Sequence, residues 1–225
     1  MATIKVMASA AFREAYLELA PQFERASGHK VTNIWVPSVQ MMSRLKGGEI
    51  VDLVFLSAAS LDELIKAGIV GRRVDLAKSG IGVAVCSGAP KPDISSGEAL
   101  KQAVLAAKSV VYSTGPSGIY LAGLFERMGI AAQVKSKLKQ VQGEPAGLSV
   151  ARGESEIGFQ QMSELLPVAG IDIVGPLPPD VQQITTFSAG FHAKAEEPQA
   201  AKALVDFLTA PAAAPVIRKK GMEPA

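Results

Sequence analysis

The sequence has a single cysteine, Cys86, and only two histidines, His29 and His192. One cysteine cannot close an internal disulfide, and it leaves no set of thiols for a structural zinc site. A catalytic thiol needs a nearby histidine. Cys86 instead follows the apolar run 81–85 and is expected to pack as a small buried hydrophobe. No metal site and no cofactor is expected. Neither sign of charge dominates: 23 basic and 21 acidic side chains leave a net charge of +2. A nucleic-acid partner is therefore excluded, since it requires basic residues gathered on one face. The one dense basic run, Arg218-Lys219-Lys220, reads as a solvated helix end that complements the helix dipole. No apolar run approaches the roughly 18 residues of a membrane span. Met1-Ala2-Thr3-Ile4-Lys5 enters a strand pattern at once, without a charged and apolar leader. The expected location is cytoplasmic as written, or periplasmic if a signal peptide was removed.

Apolar residues, by contrast, are plentiful. They make up 48% of the 225 residues against 20% charged, enough for a substantial core in one large or two small domains. Strand and helix patterns alternate. Residues 4–8, 31–36 and 51–56 read as strands, and the almost wholly apolar third is expected to be covered on both faces, as in a parallel sheet. Helices follow over 10–26, 38–47 and 60–67; in the first, Phe12, Tyr16, Leu19, Ala20 and Phe23 recur at three- and four-residue spacing and Gly28 stops the pattern. A second set has strands at 81–85, 109–112, 157–160 and 171–174, with helices at 95–107 and 119–128. A strand at 184–191 and a helix from 198 to 208 close the chain. This order predicts an α/β protein of two lobes, with residues 1–80 and 187–225 in one and 81–186 in the other.

In parallel sheets, ligands sit beyond the carboxyl ends of the strands, where helix N-termini present free N–H groups and partial positive charge. Small hydroxyl residues recur at those positions. Ser9 follows the first strand, Ser38 the second, and Ser57 and Ser60 the third; Thr114 and Ser117 precede a helix of the second lobe. Any one of them taken singly reads as an ordinary N-cap. Their recurrence on successive strand ends points to an anion site held by neutral donors and helix dipoles. Gly115 and Gly118 would let backbone approach such a ligand. Gln160 and Gln161 add amides suited to carboxylates and hydroxyls, and strand alternation is expected to turn one of them to solvent.

Several segments resemble the periplasmic molybdate-binding proteins. They are Val6-Met7-Ala8-Ser9-Ala10-Ala11-Phe12, the run from Phe23 through Ser27-Gly28-His29-Lys30-Val31, Pro37-Ser38, and Gly48-Glu49-Ile50-Val51-Asp52-Leu53. Gly153-Glu154-Ser155-Glu156-Ile157-Gly158-Phe159 and Pro198-Gln199-Ala200-Ala201-Lys202-Ala203 continue the match in order along the chain. The resemblance implies a two-lobed type II periplasmic-binding-protein fold with its ligand cleft between the lobes. It carries the family's two hydroxyl ligands to Ser9 and Ser38, and its second-lobe backbone donors to the turn from Thr114 to Ser117 and the segment after Gly143. Where the family has a tyrosine, this chain has Phe159-Gln160-Gln161-Met162-Ser163. The Gln-Met-Ser-Glu-Leu-Leu-Pro and Gly-Met-Glu-Pro-Ala stretches are similar to molybdate-binding-like proteins that include aconitate isomerase.

Two functions follow from these features. The first is a monomeric solute-binding protein that closes on a small anion, an organic di- or tricarboxylate rather than molybdate, and serves the membrane component of an ABC transporter. The second is an isomerase of small unsaturated carboxylates, which needs a general base beside the acidic carbon. The sequence offers Glu144, His192, Tyr112 and Glu14 for that role without choosing among them; His192 and His29 both read as surface or loop residues.

Overall fold

The computed structural model describes all residues from Met1 to Ala225. The chain begins with β1 (Thr3–Ala8), α1 (Arg13–Ser27), β2 (Lys30–Trp35), α2 (Ser38–Lys46), β3 (Leu53–Ser57), α3 (Ala58–Lys66) and β4 (Val70–Cys86). It continues through α4 (Gly97–Ala106), β5 (Val110–Ser113), α5 (Pro116–Arg127), α6 (Ala131–Val134), β6 (Leu138–Val141), α7 (Ala146–Ala151), β7 (Ile157–Gln161), α8 (Met162–Leu165) and β8 (Ile171–Pro176). It ends with β9 (Ile184–His192), α9 (Pro198–Thr209), α10 (Ala214–Lys219) and β10 (Glu223–Pro224). Two compact units result: Met1–Ser79 with Thr185–Ala225, and Gly80–Ile184.

In the first unit the strand order is β2-β1-β3-β9-β4, with β10 on β4. β1 runs parallel to both β2 and β3, while β9 returns antiparallel to β3. Period-two alternation sorts the side chains. Ile4, Val6 and Ala8 join Leu53 and Phe55 under α1 and α9, whereas Met7, Val54 and Leu56 pack on Met41 and Leu45 of α2 and Leu61 and Leu64 of α3. Gly28 ends α1 in the left-handed region (φ 73°), which its missing Cβ makes easy.

One buried carboxylate fastens this unit together. Asp52, 1% exposed, accepts the backbone N–H of Lys5 at 2.7 Å and those of Glu196 and Glu197 at 2.8 Å each. It thereby ties β1 to the entrance of α9. His192 donates its backbone N–H to the Asp52 carbonyl at 3.2 Å and is itself buried, contrary to the surface position expected from sequence. The residue is drawn in because β9 is an interior strand that ends against the Asp52 turn.

The second unit has the order β8-β4-β7-β5-β6, with β5 parallel to β6 and β7, and β7 antiparallel to β4. Its core lies on both faces: α4 and α5 cover Val110, Tyr112 and Phe159, and α7 covers Val111 and Val141. Several elements escaped the sequence pattern. β4 runs from Val70, not residue 81, because its first half carries Arg72, Arg73 and Asp75 and looks too polar for a strand. The short β6 and α7 were also not anticipated; Lys139 and Gln140 give β6 two exposed polar residues, which conceal its pairing with β5. Cys86, at the end of β4, is only half-buried.

Replacing Asp52 with alanine would leave three part-buried N–H groups without their charged acceptor. The expected cost is roughly 3 kcal/mol or more, read as a lowered urea midpoint with an unchanged slope; a loss under about 1 kcal/mol would contradict the clamp.

Candidate functional site

In the first unit Ala8 lies level with Trp35 of β2 and with Phe55 of β3, so the three strands share one carboxyl edge. Ser9 is 7% exposed; its N–H and hydroxyl both donate to the Phe55 carbonyl, at 3.1 and 3.2 Å. Its side chain caps no helix N–H, so its lone pairs and loop are not consumed by the fold. Ser38 is the first residue of α2, behind an N-cap Pro37 that supplies no side-chain bond. Ser57 does what an N-cap serine does: its hydroxyl accepts from Ser60 N–H at 3.3 Å and donates to the Ser60 hydroxyl at 3.0 Å. Ser9, Ser38 and Ser57 are thus brought to one edge, with Ser57 engaged by its own helix.

In the second unit the ends of β5, β6 and β7 form the corresponding edge, and α5, α7 and α8 begin there. α5 starts at Pro116 rather than at 119, because proline fits the first helical position, where no N–H is needed. Ser117 and Gly118 therefore lie inside the helix. Ser117 is 1% exposed with its hydroxyl 3.4 Å from that of Ser113, and Thr114 donates its N–H to the Val141 carbonyl at 3.1 Å. Gly118 is a packing residue: an added Cβ would lie 1.6 Å from the Ser113 carbonyl oxygen, so only glycine lets α5 rest on β5. Its missing side chain serves strand contact, and the open backbone expected for a ligand is not what it provides.

Both Gln160 and Gln161 are buried, 3% and 0% exposed. Alternation turns neither to solvent, because β7 lies between β4 and β5 and both of its faces are covered. Gln160 is engaged at both ends of its amide. Its Oε1 accepts the N–H of Ala146 at 2.6 Å, and its Nε2 donates to Glu164 Oε1 at 2.8 Å. Glu164, in the first turn after β7, was not singled out from sequence. Desolvation pushes its carboxyl up to about 7, against the opposing pull of the Gln160 hydrogen bond. Beside it, Ser163 is 2% exposed and its hydroxyl has no partner within the protein. The available signal was the spacing: a glutamate four residues after Gln160, just past a strand with no exposed residue.

The four bases proposed from sequence fare less well. Glu144 is gripped by Arg152 through bonds of 3.0 and 3.1 Å, which holds its carboxyl below the usual range. His192 is pushed down by burial, and its Nδ1 accepts the N–H of Lys194 at 3.1 Å. Glu14 lies 3.7 Å from Arg13, and Tyr112 is packed in the core. His29 accepts the Ala2 N–H at 3.2 Å and stacks on Phe23.

This doubly covered α/β architecture, with helix N-termini at parallel strand ends, is that of the type II periplasmic binding proteins. The family model of the bacterial extracellular solute-binding proteins matches residues 4–223, and the chain belongs to that family. An aconitate isomerase of Pseudomonas sp is 40% identical over 230 residues, covering 99% of this chain and 88% of the relative. Among solved structures, the periplasmic molybdate-binding protein of Azotobacter vinelandii has a TM-score of 0.76 at 20% identity, covering 97% of this chain and 98% of that one. The sulfate-binding protein SubI from Mycobacterium tuberculosis H37Rv has a TM-score of 0.79 at 18% identity, covering 100% and 88%.

Glu164 also makes a prediction about stability. With its carboxyl raised from 4.5 to about 7, the folded chain keeps a proton that the unfolded chain releases across that window. Stability should fall as pH rises from about 4.5 to 7 and then level off. Glu164→Gln, neutral throughout, should match the wild type below about pH 4 and exceed it by about 1–3 kcal/mol at pH 8. Urea unfolding across a pH series checks this; a variant less stable than the wild type at pH 8 would refute it.

Proposed function

We propose that the protein binds a small unsaturated di- or tricarboxylate and moves a double bond within it by a proton shift. Glu164 is the observation that carries this reading: a carboxyl at the carboxyl edge of parallel strands, pushed up to about 7 by desolvation. Such a group is suited to take and return a proton at neutral pH. A passive binding site for an anion has no use for a second ionisable acid, which would repel the ligand once charged. The substrate class is supported by the Pseudomonas relative, named for an isomerase and alike over nearly the whole chain. We assign Ser9 and Ser38 as candidate anion donors of the first unit, and the turn from Thr114 to Ser117 as candidate donors of the second.

The solute-binding family itself favours a second reading, in which the protein carries a small anion to a transporter without changing it. Preference for a carboxylate over molybdate is part of the proposal under either reading.

Proton NMR in D2O with cis- or trans-aconitate separates the two. Interconversion of the two isomers is the expected result; tight binding with no interconversion would favour the carrier. By calorimetry, a tricarboxylate should bind at least about tenfold tighter than molybdate or tungstate, a gap of about 1.4 kcal/mol. The reverse order would defeat the ligand assignment.

A further inference from the structure

We infer that Glu164 is the residue that carries the proton from one carbon of the unsaturated acid to another, and that Gln160 is the positioning residue that fixes its carboxyl. The inference rests on the isomerase reading above and names the group within it that acts.

The geometry comes first. The Gln160 amide is held at both ends: Oε1 by the Ala146 N–H at 2.6 Å, and Nε2 to Glu164 Oε1 at 2.8 Å. An amide fastened this way cannot rotate, and it fixes one carboxyl oxygen of Glu164 while leaving Oε2 without a protein partner. Glu164 is half-buried as a residue, and its carboxyl is the part removed from water. The neighbouring Ser163 hydroxyl is buried with no protein partner, at a cost of about 1–3 kcal/mol for such a group. The first turn of α8 therefore presents two polar groups that the fold itself does not use.

The electrostatics agree with this use. No charged side chain bonds to Glu164. On α7 and the loops flanking it, Arg152 is engaged by Glu144 and Glu154, and Lys139 of β6 by Glu154. Burial thus acts on Glu164 without a neutralising cation, and the single Gln160 bond keeps the charged form accessible. The result is a carboxyl that holds and loses a proton around neutral pH.

The step balances without a co-reactant. The Glu164 carboxylate takes a proton from the methylene carbon between a carboxylate and the double bond. That C–H bond breaks, and its electron pair spreads over the three-carbon unit and into the adjoining carboxylate, leaving Glu164 as the neutral acid. Delivery of that proton to the far carbon makes the new C–H bond, shifts the double bond by one position and restores the Glu164 carboxylate. Nothing is oxidised or reduced.

The test uses the full chain and cis- and trans-aconitate, with turnover followed by NMR and binding by calorimetry. Glu164→Gln should keep the Kd within about fivefold and lose about 100-fold or more in kcat; Glu164→Asp should recover part of it. Gln160→Leu should move the acid limb of the kcat pH profile upward, because it removes the one bond that favours the carboxylate. A folded Glu164→Gln that retains more than a tenth of wild-type turnover overturns the assignment while leaving the isomerase reading intact. Equal loss of binding and turnover, with no rescue by aspartate, assigns Glu164 a structural role and also overturns it. A wild type that binds a tricarboxylate but never interconverts the isomers overturns both.

Discussion

A parallel strand covered on both faces has only its ends left for chemistry. That constraint organises both units of this protein. β1, β2 and β3 pair in parallel beneath two layers of helices, and β5, β6 and β7 do the same, so the side chains of the interior strands β3, β5 and β7 are all buried. Free N–H groups and short polar side chains collect where each strand stops and the next helix begins. Ser9, Ser38, Thr114 and Glu164 all occupy such junctions.

The fold spends some of its polar residues on holding itself together. Asp52 serves three N–H groups, Ser57 caps α3, Gln160 joins α7 to α8, and Arg152 is shared between Glu144 and Glu154. Each was a plausible ligand or catalyst by residue type. Once those commitments are counted, few groups in the second unit remain available, and Glu164 is the one whose ionisation the surroundings have altered most usefully. Removing water from a carboxyl makes its charge expensive, and a single hydrogen bond recovers part of that cost. The balance between these opposing terms turns an ordinary glutamate into a group able to exchange protons near neutrality.

The solute-binding architecture suits such a group. A carrier and an isomerase of the same anion need the same first property, oriented donors at strand ends that hold carboxylates. They differ by one acid-base residue placed near the held ligand. The chain is similar in fold to proteins named for molybdate and sulfate binding, and in sequence to one named for aconitate isomerisation.

How much of this was legible depended on range. The first three strands, the helices between them and the serines at their ends could be read directly, because alternation of two and of 3.6 and the stop at Gly28 are local signals. Polar strands were not legible: Arg72, Arg73 and Asp75 hid the first half of β4, and Lys139 with Gln140 hid β6. The sequence by itself determined the α/β order, the family and the edge at which hydroxyl residues gather. Only the tertiary structure decided that both glutamines of β7 are buried, that Gly118 is a packing contact, that Glu144 is tied to Arg152, and that desolvation pushes the Glu164 carboxyl up to about 7. Those outcomes are sums of contacts from distant parts of the chain. Desolvation in particular has no local signature, since it depends on which other segments displace the water.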